Sequence, residues 1–419
     1  MINAINLNES EFLFNSNDFD PSFIWGLSAS VLQTEETFNI DANKSVALGD
    51  FSEEKQGLLN NVVSVASCDF NLNYKEEIKL IKELGVAHYR FLLSWSRIIP
   101  DGIGPVNESV IDFYNTVLDE CLINGIQPFV VLADWKLPLA LEQKGGWSNR
   151  DIINWFDNYV SVCVNAFKGK IKYWIVLDKP CVISEVGYYM GLQALRKKGV
   201  NNFLPALHHA LLCQAIGFKI IKEITSDSQI GTDFSCTHIT PITSSLKDIS
   251  AAERVDALLN RTFVEPSLGL GYPIETLPFL KNIKKHFLEG DEELLEVTFD
   301  FIGIQNHHRI VVGYNMYVPF INAKIIPPKK IKTKPIFTNG DGYSKSIYQM
   351  IKKYSFYDGV KKILITENFS DYKTLNNVTV LDEKNRMRCI QSDLEQVLLA
   401  KQFGAKIEGY FVQAKFNYF

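Results

Sequence analysis

The sequence lacks several features that would place it in a specialised class of proteins. No run of eighteen apolar residues occurs, and the amino-terminal stretch has neither the basic region nor the apolar core of a signal peptide. The seven cysteines form no Cys-x-x-Cys pair, and several lie in apolar segments, as reduced core thiols do. These absences predict a cytoplasmic protein with no membrane association.

An excess of positive charge is also missing. The chain has 43 Lys and Arg residues against 48 Asp and Glu residues, which gives a net charge of −5, and the basic residues are dispersed. We therefore expect no nucleic-acid partner. The densest basic run, residues 327–334, is interpreted as a solvated loop. No metal ion and no cofactor are predicted.

The 419 residues include 46% hydrophobic and 22% charged residues, enough apolar material for a large core. Short apolar runs alternate with helical patterns, which predicts a parallel sheet. Two of these runs end in charged residues: residues 173–178 lead into Lys179, and residues 362–366 lead into Glu367. Because the carboxyl ends of parallel strands meet at one pocket, Lys179 and Glu367 are the first candidates for chemistry.

These two stretches resemble the acid/base and nucleophile motifs of family 1 glycoside hydrolases, T-x-N-E-P and I/V-T-E-N-G. Glu367 stands at the nucleophile position, whereas Lys179 replaces the acid/base glutamate and Asp178 replaces the asparagine before it. The resemblance spans about residues 21–419. It implies a single-domain (β/α)8 TIM barrel preceded by an amino-terminal arm, residues 1–20.

The resemblance also implies which side chains surround a small, carbohydrate-derived substrate. Gln33 matches a glutamine that binds sugar hydroxyls, and Arg90 matches the arginine that steadies the nucleophile. Other positions have changed: Asp134 replaces a sugar-binding histidine and His307 replaces a tyrosine. The substrate-binding residues predicted in this way are Gln33, Arg90, Asp134, Trp135, Lys136, Asp178, Gln305, His307 and Gln413.

The resemblance ends early at the carboxyl end. The chain stops seven residues after the eighth predicted strand, before the family's W-S-x-x-D-N-F-E-W motif, so the barrel is expected to lack its last helix. A groove between the first and seventh helices would then expose apolar surface. We expect the amino-terminal arm, a second copy of the chain in a homodimer, or another partner to cover it.

Lys179 at the acid/base position predicts the loss of ordinary β-glycoside hydrolysis. Retaining enzymes use two carboxyl groups about 5 to 5.5 Å apart, one as nucleophile and one as acid. An unperturbed ammonium, with a pKa near 10.4, donates protons poorly, and the loss of general acid catalysis removes a factor of about 10² to 10⁴.

Three functional interpretations stay open. In the first, the pocket has been re-used for other chemistry, with Lys179 as base, electrostatic stabiliser or amine nucleophile beside Glu367. In the second, the barrel is a non-catalytic pseudoglycosidase that binds carbohydrate or a partner protein. In the third, Glu367 still attacks glycosides whose leaving groups need no acid. The exchange of several residues for ionisable ones at a single site favours the first interpretation.

Overall fold

The computed structural model of the chain describes residues 16–29, 70–182, 199–326, 341–368, 372–375, 378–381 and 383–414. Eight of its strands form the central sheet. In chain order these are β1 (Ile24–Ala29), β2 (His88–Leu92), β3 (Gln127–Ala133), β4 (Tyr173–Asp178), β5 (Gln229–Pro241), β6 (Phe301–Tyr314), β8 (Ile363–Asn368) and β11 (Ile407–Ala414).

The eight strands close into a parallel barrel. Each strand pairs in parallel with the next one in chain order, and β11 returns to pair with β1 through a register that joins Gly26 to Phe411. Three further strands lie outside this ring. β7 (Ala323–Ile325) pairs antiparallel with β6, and β9 (Tyr372–Leu375) pairs antiparallel with β10 (Val378–Leu381). The predicted TIM barrel is confirmed.

Helices connect the strands on the outside of the barrel. In Glu108–Ile123, for example, the buried residues recur at helical spacing, and Gly125 follows the helix with a φ of +75° that favours glycine. The longer helices are Phe70–Glu83, Glu108–Ile123, Ile152–Phe167, Val200–Ile224, Leu246–Asp256, Asp341–Ser355 and Glu383–Gln402. Shorter ones are Trp95–Ile98, Leu139–Gln143, Pro180–Val182, Thr262–Ser267 and Asp291–Leu295.

Val200–Ile224 is long and apolar enough to span a membrane by length and composition. Its central residues are buried in the protein, where it packs against Ile152–Phe167. It therefore has the character of a core helix.

Two predicted elements differ from the structure. The sequence predicts a single helix over residues 250–263, but the segment consists of Leu246–Asp256, one π-helical turn at Ala257–Arg261, and Thr262–Ser267. The sequence also predicts a long irregular loop over residues 309–341. Within the described part of that range, β6 continues to Tyr314 beside an equally extended β5, and β7 adds to its edge.

The barrel interior is layered. Near the amino ends of the strands, Phe129 stacks on Tyr173 at a centroid distance of 4.1 Å and meets Phe301 and Phe411 edge-on. This aromatic layer fills the barrel and excludes water from its lower half. Asp233 pairs in register with Asp178 and with Gly303, two residues beyond Phe301, so these carboxyl groups sit toward the carboxyl ends, where TIM barrels carry their sites.

The described part of the arm packs on the first strand. The Phe19 ring lies 4.8 Å from the Phe23 ring and 5.0 Å from the Trp25 ring. Residues 1–15 and the residues after Ala414 lie outside the described part of the chain. The arm boundary at residue 20, the missing last helix and the covered groove therefore stay predictions.

Candidate active site

An ion pair between Lys179 and Glu367 occupies the centre of the pocket. Lys179 follows directly on β4 and Glu367 lies near the end of β8, so the two side chains approach each other across the barrel opening. Lys179 Nζ lies 2.7 Å from Glu367 Oε2, and the two side chains are 20% and 13% exposed. The predicted contact is present, while the catalytic role of the two residues stays a prediction.

Charge attraction holds Lys179 in its protonated form. Burial by itself lowers the pKa of Lys179. The attraction of Glu367, and of Asp178 whose Oδ2 lies 3.9 Å from Nζ, outweighs burial and raises the pKa above its ordinary value. At neutral pH this ammonium is neither a ready proton donor nor a free amine nucleophile.

The backbone at Lys179 is unusual. Its φ of +51° lies in the left-handed region that non-glycine residues rarely adopt, and Pro180 follows it. The Lys179 N–H donates to the Asp233 carbonyl oxygen at 3.1 Å, which ties the end of β4 to β5. Such a conformation costs on the order of 1–3 kcal/mol and persists only where the surroundings impose it.

Arg90 is the centre of a buried cluster beside this ion pair. Its guanidinium donates to Asp233 Oδ2 through Nε at 3.0 Å and through NH2 at 2.7 Å, to Asp178 Oδ1 at 2.5 Å, and to Ser28 Oγ at 3.1 Å. Gln305 Nε2 donates to Asp178 Oδ1 at 2.6 Å. Although burial alone would lower it, the pKa of Arg90 is raised by these carboxylates.

These contacts give Arg90 its buried counter-charges. An arginine inside an apolar strand requires a buried anion, and Arg90 has two, Asp178 and Asp233. Arg90 also attracts Glu367 through charge. The role of Arg90 toward the nucleophile carboxylate, which the resemblance implies, stays a prediction.

Asp233 is the site residue that sequence reasoning missed. It lies on β5, is fully buried, and rests against Gly303 on β6, where an added Cβ would stand 1.7 Å from Asp233 Oδ1. Only glycine at position 303 leaves room for this carboxyl group. The available signal was an aspartate inside an apolar strand, which needs a buried partner as Arg90 does.

Asp134 adds a further carboxyl group from the end of β3. Asp134 Oδ1 accepts the Lys136 N–H at 2.9 Å, and the side chain is nearly inaccessible to solvent. Burial raises the pKa of Asp134 to about 6, against the attraction of Lys136. Lys136 Nζ lies 6.0 Å from the centre of the Trp135 ring, whose own backbone carbonyl accepts a hydrogen bond from Trp147 Nε1.

The remaining predicted residues divide into two groups. Gln413 on β11 donates to Glu367 Oε1 at 2.9 Å, so each Glu367 oxygen has its own partner. Gln33 lies outside the described residues, as does the side chain of His307 on β6, and their roles stay predictions. In the described part of the chain, no group of three or more His, Cys, Asp or Glu side chains is arranged to hold a metal ion.

Asp134→Asn should stabilise the protein at neutral pH. The folded pKa of about 6 lies above the ordinary 3.8, so ionised Asp134 destabilises the fold above pH 6, and this penalty disappears as the pH falls toward 3.8. A shift of this size corresponds to about 3 kcal/mol. Asparagine keeps an acceptor for the Lys136 N–H, so we expect a gain of about 1–3 kcal/mol near pH 7.5 and little gain near pH 4 in urea unfolding.

The matched control is Asp119→Asn, which changes an exposed aspartate paired with Lys170 and should alter stability by less than about 1 kcal/mol at either pH. Destabilisation by Asp134→Asn near pH 7.5, or an equal gain at both pH values, would contradict the prediction.

Comparison with known proteins agrees with the barrel fold. Residues 15–419 match the family model of glycosyl hydrolase family 1. The chain is 30% identical to 1,4-beta-D-glucan glucohydrolase of Thermotoga neapolitana, over 94% of this chain and 92% of that protein. It is 29% identical to 6-phospho-beta-glucosidase GmuD of Bacillus subtilis, over 94% and 88% of the two chains.

Solved structures give the same result. The family 1 b-glucosidase from Thermotoga maritima superposes with a TM-score of 0.80 at 30% identity, over 94% of this chain and 88% of that one. The same Thermotoga maritima enzyme in complex with deoxynojirimycin gives a TM-score of 0.79 at 29% identity, with the same coverage. The chain therefore belongs to glycosyl hydrolase family 1.

Proposed function

We propose that this family 1 barrel has lost ordinary retaining hydrolysis of β-glycosides, and that its pocket binds a small polar or sugar-derived molecule for other chemistry centred on Lys179 and Glu367. The observation that supports this proposal most is the 2.7 Å contact between Lys179 Nζ and Glu367 Oε2. By the resemblance, the retaining mechanism needs a carboxylic acid at position 179, whereas this chain has an ammonium there, in contact with the carboxylate that would attack the sugar.

The pairing weakens both halves of the retaining mechanism. Glu367 accepts hydrogen bonds on both oxygens, from Lys179 and Gln413, which stabilises its negative charge and lowers its nucleophilicity. Lys179 is held protonated and cannot replace the missing acid. The pocket nevertheless holds six ionisable side chains that are largely buried: Arg90, Asp134, Asp178, Lys179, Asp233 and Glu367. Burying so many charged groups costs folding free energy. A set like this is therefore more consistent with a pocket that has taken up a new activity than with one whose residues changed without selection.

The protein should not hydrolyse unactivated β-glycosides. We expect turnover of cellobiose well below 1 s⁻¹, a rate near the lower end of usual enzyme activity, because a protonated lysine stands at the position of the acid/base glutamate. Glucose release measured at high enzyme concentration tests this expectation. A cellobiose turnover of about 1 s⁻¹ or more would contradict the proposed function.

The pocket should bind a cationic sugar analogue better once Lys179 is removed. A solved relative is a complex with deoxynojirimycin, a basic iminosugar. In this chain the Lys179 ammonium contacts the Glu367 carboxylate, and it would repel a second cation bound there. Two like charges about 4 Å apart repel by roughly 4 kcal/mol at an effective dielectric constant of 20, so Lys179→Ala should tighten deoxynojirimycin binding by about 100-fold or more in calorimetry.

Neutral glucose is the matched control ligand, since its affinity should change less than about tenfold in the same variant. An unchanged affinity for deoxynojirimycin in Lys179→Ala would show that the ammonium does not compete for the ligand position.

Two other functions predict different results with an activated substrate or with variants of the pocket. A glycosidase restricted to good leaving groups would turn over 2,4-dinitrophenyl β-glucoside without any change to the chain, because dinitrophenolate departs without an acid. A non-catalytic binding protein would keep its biological function in both Lys179→Ala and Glu367→Gln. The re-used pocket proposed here should lose activity on its own substrate in each of these variants.

A further inference from the structure

Two carboxylate oxygens in the barrel accept hydrogen bonds from the same donors. Asp178 Oδ1 and Asp233 Oδ2 both accept from Arg90 NH2, at 2.5 and 2.7 Å, and both accept from Gln305 Nε2, at 2.6 and 3.3 Å. Because both oxygens contact the same NH2 atom, they lie no more than about 5 Å apart. Like charges held so close, with so little water, disfavour simultaneous ionisation.

The surrounding charges do not balance two carboxylates. Arg90 supplies one positive charge to the pair. Lys179 Nζ is 3.9 Å from Asp178 Oδ2 but contacts Glu367 directly, and Asp134 on β3 contributes further negative charge. One proton held between Asp178 and Asp233 would make the pair and Arg90 neutral together, which a poorly hydrated interior favours.

Unpartnered buried atoms point the same way. Asp233 Oδ1 and Gln305 Oε1 are inaccessible to water and lack a hydrogen bond of good geometry, although the Thr366 hydroxyl lies beside Asp233 and lowers its pKa. A bare carboxylate oxygen without a partner is far more costly in an interior than the second oxygen of a protonated carboxyl group. A proton on the pair would relieve this cost.

Only one member of the pair faces the pocket. The Asp233 side chain is fully buried, whereas the Asp178 side chain is 14% exposed. Since Lys179 Nζ lies 3.9 Å from Asp178 Oδ2 and 2.7 Å from Glu367 Oε2, those two carboxylate oxygens are less than about 7 Å apart, a separation at which carboxyl groups flank a reacting carbon in glycosidases.

We infer that Asp178 and Asp233 share one proton and form the acid/base group of this pocket, with Asp178 as the carboxyl group that meets an oxygen of the ligand. Asp233 is a positioning residue that acts through Asp178. The role toward a ligand rests on the proposed function, whereas the shared proton does not. In the transfer step, an O–H bond of the pair breaks, an O–H bond forms on the ligand oxygen, and solvent water returns the proton after product release.

The shared proton is tested without any ligand, by carbon-13 NMR of protein labelled at the aspartate carboxyl carbons. We expect the Asp178 and Asp233 signals to move together through one single-proton transition. Asp233→Asn should remove this transition from Asp178, and Asp178→Asn should remove it from Asp233. Asp291→Asn, which alters a buried aspartate paired with Arg150, is the matched control and should leave it unchanged.

Independent titration of the two carboxyl groups, or an Asp178 transition that survives Asp233→Asn, would overturn the inference. The wild-type titration alone is decisive if a variant fails to fold.

The action on a ligand is tested in Lys179→Ala with 2,4-dinitrophenyl β-glucoside. In this variant Glu367 no longer contacts the Lys179 ammonium. Its carboxylate attacks the anomeric carbon and displaces dinitrophenolate, which gives an initial burst of dinitrophenolate release. In the following step, a water oxygen bonds to the anomeric carbon, the bond to Glu367 breaks with its electron pair returning to the carboxylate, and Asp178 takes the water proton. Adding Asp178→Asn should slow steady-state turnover at least about 100-fold while the burst amplitude is kept.

Equal steady-state rates with and without Asp178→Asn would overturn the acid/base role. The absence of any burst in Lys179→Ala would count against the sugar-derived ligand of the proposed function, and the NMR titration would then decide the shared proton on its own.

Discussion

Arg90→Met should destabilise the protein by about 3–5 kcal/mol near pH 8, the largest stability effect expected of a single change in this pocket. The guanidinium is the only described cation that hydrogen-bonds both Asp178 and Asp233, and its removal leaves the buried Asp233 without its counter-charge. Breaking a buried ion pair from one side carries a cost of this size because the remaining charge stays out of water. Guanidinium chloride unfolding, monitored by circular dichroism, measures it.

The loss should be smaller near pH 5. Burial already raises the pKa of Asp233 to about 6 despite the attraction of Arg90, and without Arg90 this pKa rises further. A carboxyl group with a raised folded pKa destabilises the fold fully above that pKa, and less as the pH falls toward its unfolded value. Protonation therefore relieves part of the damage in acid.

Two comparisons separate this mechanism from a general packing defect. Lys170→Met removes a more exposed ion pair with Asp119 and should cost less than about 1 kcal/mol at either pH. Asp233→Asn introduced into Arg90→Met should restore part of the lost stability. A loss for Arg90→Met that is below about 1 kcal/mol near pH 8, or equal at both pH values, would contradict the account.

The sequence predicts the strands of this barrel well because their apolar runs and the glycines between elements are local signals. The contact between Lys179 and Glu367 also follows from local facts, since each residue stands at or near the end of a buried strand and such ends converge. The identity of the family strengthened this prediction by placing the two positions across one pocket.

The missed features depend on contacts between distant parts of the chain. β6 runs on through residues 306–314 because β5 is extended to Pro241 and offers it a partner, and the polar residues at 307–309 gave no local sign of a strand. The buried position of Asp233 could not be predicted from its own strand, because Gly303 on another strand leaves the space that the carboxyl group fills. Arg90 was expected to find a buried anion, but only the folded chain shows that two aspartates share it.

Lys179→Glu should raise the hydrolysis of 4-nitrophenyl β-glucoside at least about 100-fold over the unchanged protein, the largest expected effect on activity. The change restores a carboxyl group at the acid/base position and releases Glu367 from the ammonium that now contacts its Oε2 atom. Two carboxyl groups in one pocket disfavour joint ionisation, so one of them would hold the proton that the leaving oxygen needs. General acid catalysis alone contributes a factor of about 10² to 10⁴.

The gain must depend on both carboxyl groups to support this explanation. Combining Lys179→Glu with Glu367→Gln should return the rate to that of the unchanged protein, because the nucleophile is then missing. Lys170→Glu adds the same negative charge at an exposed position and should leave the rate within about threefold, since a remote charge is screened by solvent. If Lys179→Glu gains no activity although it binds glucose, the loss of hydrolysis does not lie in the Lys179 exchange alone, and the changed residues around it, such as Asp134 and Gln413, must also prevent a productive sugar position.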